Sequence, residues 1–361
     1  MYGGVEIDML SLGNADSILI SFWNGLSVHR LLIDGGNKGD APKVRSFLRG
    51  LNVTRLDDVL STHHHDDHSG GLIEIIADTT LDIGRVWSHV PQRHVDMNKV
   101  RVALGAVGES PEADCVIKSL DTAADIFNTA LRRKIPHSEP FEGSLLGSLK
   151  ILSPSLDFYA SLVSEFAEAD RIKAEDEARH RYDEQAGMEE VLKALGLGDG
   201  DDSSSSLLND PHTAPENESS VVSGAVHGGS MLLFTADAGT CALTRVLASY
   251  QVADLEWLQI PHHGSRHNIT ADLIKQFKPK TAFVSAEGSK KHPRRAVVNA
   301  FKEQGTRVYS THYPTGMHLR QHYGIVPPRP GYVSATALWD AEKIEKAEPA
   351  NELLAAMGGR R

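Results

Sequence analysis

The chain has 361 residues, 40% of them hydrophobic and 24% charged, with a formal net charge of −11. No run of 18 apolar residues exists to span a membrane. Residues 1–6 lack a signal peptide's basic start and apolar core, and two cysteines, Cys115 and Cys241, are too few for a disulfide framework or a thiolate zinc cluster, so a reduced, cytoplasmic globular protein is expected.

In chain order, residues 5–10, 17–23 and 28–33 read as short strands, the third ending in the tight loop at Asp34-Gly35-Gly36. A helix is predicted over 41–51, a strand over 56–62, a helix over 70–77 and a strand over 84–90. Apolar spacing predicts a helix over 112–134. A strand over 149–153 stops at Pro154. Residues 158–195 read as one or two exposed helices, and 196–217 as a low-complexity loop containing Ser203–Ser206. Strands return at 219–226 and 231–235. Helices over 240–250, 270–277 and 294–304 then alternate with strands over 255–260, 281–285 and 307–310, and 337–361 reads as a helical tail.

Strands in runs, then alternating with helices, imply an α+β architecture of two packed sheets with helices outside. The charge is uneven, because residues 164–202 hold 13 Asp/Glu against 5 Lys/Arg. The acidic excess therefore belongs to one segment, and the body can still accept a phosphate-bearing substrate. No basic stripe for extensive phosphate contact is evident.

The chemistry concentrates in Thr62-His63-His64-His65-Asp66-Asp67-His68-Ser69-Gly70-Gly71, between a strand and a helix. His63 and His65 are two apart in extended chain and point to one side. Asp67 and His68 lie on the turn and reach a second point. Imidazole with carboxylate suits zinc, manganese or iron.

This His-x-His-x-Asp-His tract resembles the signature of the metallo-β-lactamase superfamily. Asp34 resembles that family's first aspartate, which orients a ligand loop. Asp237 resembles its bridging aspartate, although Ala236 stands where the family more often has Gly. His263, within His262-His263-Gly264-Ser265, resembles its last histidine ligand. The ComEC-type branch matches more closely still, through Gly13-Asn14-Ala15-Asp16-Ser17-Ile18-Leu19-Ile20, Asn217-Glu218-Ser219-Ser220-Val221-Val222 and His292-Pro293.

The resemblance covers roughly 5–155 and 215–320 and implies a four-layer αββα sandwich. The expected organisation is a catalytic domain over 1–335, an acidic insertion over 156–216 within it, and the 337–361 tail. The resemblance also implies two divalent cations, zinc first and manganese second. His63 and His65 would hold one, Asp67, His68 and His263 the other, and Asp237 would bridge. The family's third histidine at the first cation is not evident. Asn217 stands near its expected place, and His212, His227 and His89 are the nearest histidines. Occupancy by a single metal therefore stays open.

Two cations about 3.5–4 Å apart can activate a water for in-line attack and neutralise charge on a phosphoryl oxygen. No nucleophilic side chain is needed. Asp67 or Asp237 would steer the water proton, and His262, His292 or His267 would protonate a leaving group. Ser265, Asn217 and Thr311 are the candidate substrate contacts, with His312 beside Thr311. Asp57, Asp58 and Asp66 read as solvated or loop-capping. The expected function is a metal-dependent phosphodiesterase acting on nucleic acid. A small-ester hydrolase acting on a phosphocholine-type diester or lactone is the alternative enzyme. The third reading is a non-catalytic regulatory or complex-forming module that docks protein partners through 156–216 and the 337–361 tail.

Overall fold

The structure, a computed structural model, describes residues 2–107, 110–166, 211–250, 255–288, 292–314 and 316–338, with single positions 168, 207, 209 and 252 between them. Most of the 156–216 segment and nearly all of the 337–361 tail lie outside the described residues. Within the first, Leu156–Glu165 is a helix, but it is not simply exposed as expected, because Tyr159, Leu162 and Val163 are buried.

Among the described residues, fourteen strands make two seven-stranded sheets. The first contains β1 (Tyr2–Met9), β2 (Ile18–Gly25), β3 (Ser27–Ile33), β4 (Arg55–Leu60), β5 (Asp82–Trp87), β6 (His137–Ser138) and β14 (Leu319–Ile325), in the order β14-β1-β2-β3-β4-β5-β6. The second contains β7 (Leu145–Leu146), β8 (Leu149–Ser153), β9 (Val222–His227), β10 (Ser230–Phe234), β11 (Leu255–Gln259), β12 (Thr281–Val284) and β13 (Arg307–Ser310), in the order β13-β12-β11-β10-β9-β8-β7. Strands β3, β4 and β5 are parallel, as are β10 through β13.

Side-chain alternation explains the layering. Ile18, Ile20, Leu31, Ile33 and Leu60 face inward and meet Leu232, Phe234, Trp257 and Phe283 of the other sheet. Their neighbours Leu19, Leu32 and Val59 face outward and pack on Val44, Leu48, Ile75 and Ile126. These come from the helices Ala41–Gly50, Leu72–Ala77 and Pro111–Arg132. On the far side, Leu233, Leu258, Ala282 and Val284 pack on Leu243, Leu273, Val297 and Phe301. Their helices are Thr240–Ser249, Ala271–Phe277 and Arg295–Glu303. A strand's period of two thus supplies two apolar faces per sheet, and the result is the four-layer αββα sandwich. Each fully buried Leu, Ile or Phe contributes about 1.5–3 kcal/mol by leaving water.

Several elements differ from the sequence reading. The strand expected at 219 starts at Val222, after a short helical turn over Pro215–Glu218. Helix Met97–Val107 and strand β14 were not anticipated. Asp57 and Asp58 stand in the strand expected over 56–62, but are hydrogen-bonded rather than solvated or loop-capping. They lie in β4, where Asp57 accepts from the Arg30 backbone N–H (2.9 Å) and Asp58 from Trp87 Nε1 (2.6 Å). No helix among the described residues is long and apolar enough to cross a membrane.

Candidate metal centre

Strand β4 feeds the histidine tract directly to the sheet's carboxyl edge, where open α/β sheets gather ligands. Residues 61–65 run on beyond β4, and Asp66–Gly70 then forms one wide helical turn before helix Leu72–Ala77. The extended stretch sets His63 and His65 on one side, their ring centres 4.7 Å apart. His64 turns the opposite way into the interior and is buried. The turn then swings Asp67 and His68 back toward His63, whose ring lies 4.3 Å from that of His68.

The second sheet supplies the remaining donors from the same edge. Asp237 follows β10, and His263 follows β11. Both arrive through left-handed backbone that L residues rarely adopt: φ is 47° at Ala236, 47° at His262 and 52° at His263. Asp34, at the end of β3, is also left-handed, with φ 57°. Such conformations cost about 1–3 kcal/mol each and persist only where surrounding structure enforces them.

Two donor groups result, each with its ligand atoms within 4.8 Å of one another. One is His63, His65 and Asp237. The other is Asp67, His68, Asp237 and His263. Asp237 belongs to both. Its Oδ1 lies 3.0 Å from His68 Nε2, and its Oδ2 lies 3.8 Å from His63 Nε2. His263 Nε2 lies 3.3 Å from Asp67 Oδ2. Donors about 2.0–2.2 Å from a tetrahedral cation stand about 3.3–3.6 Å from each other, and the separations of 3.0, 3.3 and 3.8 Å here bracket that range. No hydrogen bond satisfies Nε2 of His63 or His68, or either oxygen of Asp237, although all are buried. Buried atoms of this kind are normally paired, and a divalent cation would satisfy all of them.

The electrostatics separate the two groups. Burial holds His63 and His65 below the ordinary histidine range, as neutral ligands require. Burial also disfavours a charged His68, but Asp237 and Asp67 override it and hold the ring well above 6.5. For His263, burial is likewise overridden, here by the contact with Asp67 and the charge of Asp237, and the value rises to about 9. Asp67 and Asp237 lie below the usual carboxylate range, since the neighbouring imidazoles outweigh burial.

Behind the ligand atoms, Asp34 accepts from Thr62 N (2.9 Å) and Thr62 Oγ1 (2.7 Å) and contacts His68 Nδ1 at 2.9 Å. His262 Nε2 comes 3.5 Å from Asp237 Oδ2, and its ring stacks on His292 at 5.7 Å. Its Nδ1 donates to Asn268 Oδ1 (2.8 Å), while Asn268 Nδ2 donates to the Asp237 carbonyl (2.8 Å). The second bond fixes the amide's orientation, so Nδ1 of His262 carries the proton and Nε2 is the atom turned to the site. Asn217 Nδ2 also approaches that Nδ1, at 3.5 Å. The shorter contact decides the tautomer.

Other expected residues lie elsewhere or do other things. The Thr311 hydroxyl both donates to Ala286 O and accepts from Ala286 N, bracing two loops. Ser265 Oγ accepts from His267 N (3.2 Å) within its own turn. His89 is buried against Tyr159, with ring centres 4.1 Å apart. His212 is exposed, as is Asp66. His227 lines a cavity of about 550 Å³ with Trp23, His29 and Asp57, and none of the donors is among its walls. Asn268 was missed altogether. Asp16, quoted only within a motif, is buried behind His68 and His263, with oxygens 3.8 and 3.9 Å from their Nδ1 atoms. No local spacing reports contacts of such long range.

Residues 28–112 match the model of the Metallo-beta-lactamase superfamily. A 103-residue stretch is 29% identical to ComE operon protein 3 of Bacillus subtilis (strain 168), covering 28% of this chain and 13% of that protein's length. Among solved structures, the chain is similar to the metallo-beta-lactamase fold protein YhfI from Bacillus subtilis. The TM-score is 0.43 at 9% identity, over 89% of this chain and 100% of that one. It is also similar to a diphosphatase of the PhnP family, with TM-score 0.38 at 10% identity, over 89% and 98% of the two chains.

Proposed function

We infer that this chain, a metallo-β-lactamase superfamily protein, is a metal-dependent phosphodiesterase, with nucleic acid the leading substrate class. The observation that carries this reading is the buried carboxylate of Asp237, shared between one donor group centred on His63 and His65 and another on Asp67, His68 and His263. Cations held there would polarise a phosphoryl oxygen and lower the pKa of a water toward 7.

The chain's own residues do the rest. Asp237 holds the two donor groups at fixed separation. His262 presents Nε2 beside Asp237, and with the ring's proton on Nδ1 that atom is free to accept a proton or to ligate, and can donate one only when the ring is doubly protonated. His292 stacks against that ring and fixes its plane. Gly264 O accepts from Arg294 N (3.0 Å), which draws the segment bearing Arg294 and Arg295 next to the His263 turn. A segment that carries two arginines next to this turn favours a phosphodiester over an uncharged lactone.

The test is hydrolysis of bis-p-nitrophenyl phosphate by the full chain loaded with Zn²⁺ or Mn²⁺. Turnover is expected, and the Asp67→Ala, His68→Ala double variant is expected to lose it. Single- and double-stranded DNA and RNA are then assayed in turn. Full metal occupancy without turnover of any diester would overturn the assignment. Turnover of the generic diester with none of the nucleic acids would remove nucleic acid as the substrate.

A further inference from the structure

Asp16 is outside the donor set, yet its contacts run to three of the four residues in the Asp67, His68, Asp237 and His263 group. Its backbone N–H donates to the Asp67 carbonyl at 2.9 Å. Its Oδ1 accepts from Ser285 Oγ. Ser285 in turn meets His263 Nδ1 with both its carbonyl (3.0 Å) and its hydroxyl oxygen (3.1 Å). Asp16 Oδ2 accepts from Gln259 Nε2 at 2.7 Å, and Gln259 Oε1 accepts from the backbone N–H of Ala236 at 3.2 Å. Ala236 is the left-handed residue that aims Asp237.

The direction of these bonds matters. An imidazole that ligates through Nε2 keeps its proton on Nδ1 and needs an acceptor there. Ser285 Oγ has one hydrogen, and Asp16 takes it. The hydroxyl can therefore only accept from His263, alongside the Ser285 carbonyl. The same carboxylate orients the Gln259 amide, because Nε2 must donate to Asp16 and Oε1 is left to hold Ala236.

We propose that Asp16 is the positioning residue of the four-donor site, fixing His263 through Ser285 and Asp237 through Gln259. The inference rests on that group holding a cation, and it assigns Asp16 no contact with the cation or the substrate. With Asp16→Asn, an amide N–H₂ faces one of two existing donors. Either Gln259 loses its acceptor or the Ser285 hydroxyl is turned toward His263 Nδ1. Asp16 reaches the His63, His65 group only through the shared Asp237, but reaches the four-donor group through His263 and Asp67 as well, so the four-donor group responds more strongly.

The test is a competition titration of the chelator-stripped full chain with Zn²⁺ alone, with circular dichroism to confirm folding. Wild type is expected to take up two equivalents. Asp16→Asn is expected to weaken the tighter equivalent, the one the four-donor group holds, by about 10–100-fold, the usual cost of losing a residue that supports a ligand, and to weaken the other by less. Ser285→Ala breaks the same relay one atom further on and is expected to weaken the tighter equivalent several-fold. It carries the test alone if Asp16→Asn does not fold. A tighter equivalent unchanged in the folded variants overturns the proposal, as does equal weakening of both equivalents. Failure of wild type to take up metal would instead overturn the underlying reading of the site.

Discussion

Asp34 Oδ2 stands 2.9 Å from His68 Nδ1, on the opposite side of the ring from Asp237, which lies 3.0 Å from Nε2. The imidazole is thus held between a supporting carboxylate and a ligating one. Burial raises Asp34 to about 6 in spite of three favourable contacts, from His68 and from the two Thr62 donors. It is therefore a costly group to keep, and its contribution is orientation of the ring.

Removing that support should loosen His68 without removing any ligand atom. Asp34→Ala is expected to lower metal affinity by about 10–100-fold, read by competition with a chromophoric chelator. The two Thr62 donors lose their acceptor as well, so a modest fall in thermal stability should accompany the change. Undiminished affinity in the folded variant would mean that the carboxylate is not what orients the ring.

The strain at Ala236 can be tested by relieving it. A non-glycine residue at φ 47° carries a left-handed penalty of about 1–2 kcal/mol. Glycine removes the penalty but costs about 0.5–1 kcal/mol in unfolded-chain freedom. The first effect wins, so Ala236→Gly is expected to stabilise the metal-stripped protein by roughly 0.5–1 kcal/mol. Urea unfolding measures it, and a destabilised variant would show that the Ala236 methyl, buried at 1% exposure, packs too well to lose.

How much of this was legible in the sequence follows from how local each signal is. The strands β2, β3 and β10 through β12 were readable because each has a stretch buried on both faces and dense in apolar residues. Strand β14 was not, because its residues Leu319–Ile325 are mostly half-exposed at a sheet edge and their pattern is polar. Within the site, His63, His65, Asp67 and His68 share one tract, and their grouping follows from its geometry. Asp237 and His263 came only from resemblance to a family, since nothing in their own segments says that they meet the tract. The contact of Asp16 with Ser285 spans 269 residues, and Asn268 acts through a buried amide in an ordinary turn. Neither leaves a periodic or compositional trace.

His64 offers a stability test separate from the metal. Burial, with the charge of His65 beside it, pushes its pKa from 6.5 to about 3. The folded state thus keeps the ring neutral where the unfolded chain would protonate it. Stability from this group is complete above about pH 6.5 and falls as pH drops toward 3, by about 1.4 kcal/mol per unit once well below 6.5. His64→Gln cannot titrate. The difference in urea midpoint between wild type and variant, both metal-stripped, is expected to shrink steadily from pH 7 to pH 4. A difference constant across that range would place a protonated His64 in the folded state.

The last prediction concerns protons released when metal binds. In the metal-stripped protein, His68 is held well above 6.5 and His263 at about 9, because Asp67 and Asp237 outweigh burial at both rings. Both are therefore protonated at pH 7.5. A raised folded pKa means that the stability His263 contributes is complete below about 6.5 and is lost as pH rises through 9. Binding a cation requires Nε2 of each ring without its proton. Metal uptake at pH 7.5 should thus release protons, and apparent affinity should climb with pH up to at least about 9, where His263 titrates. Calorimetric titration in buffers of differing ionisation enthalpy reads this directly, since the observed heat scales with the protons transferred to buffer. His263→Gln should release fewer protons than wild type. Heats independent of buffer would mean that the two rings are already neutral before the metal arrives, and that Asp67 and Asp237 do not charge them.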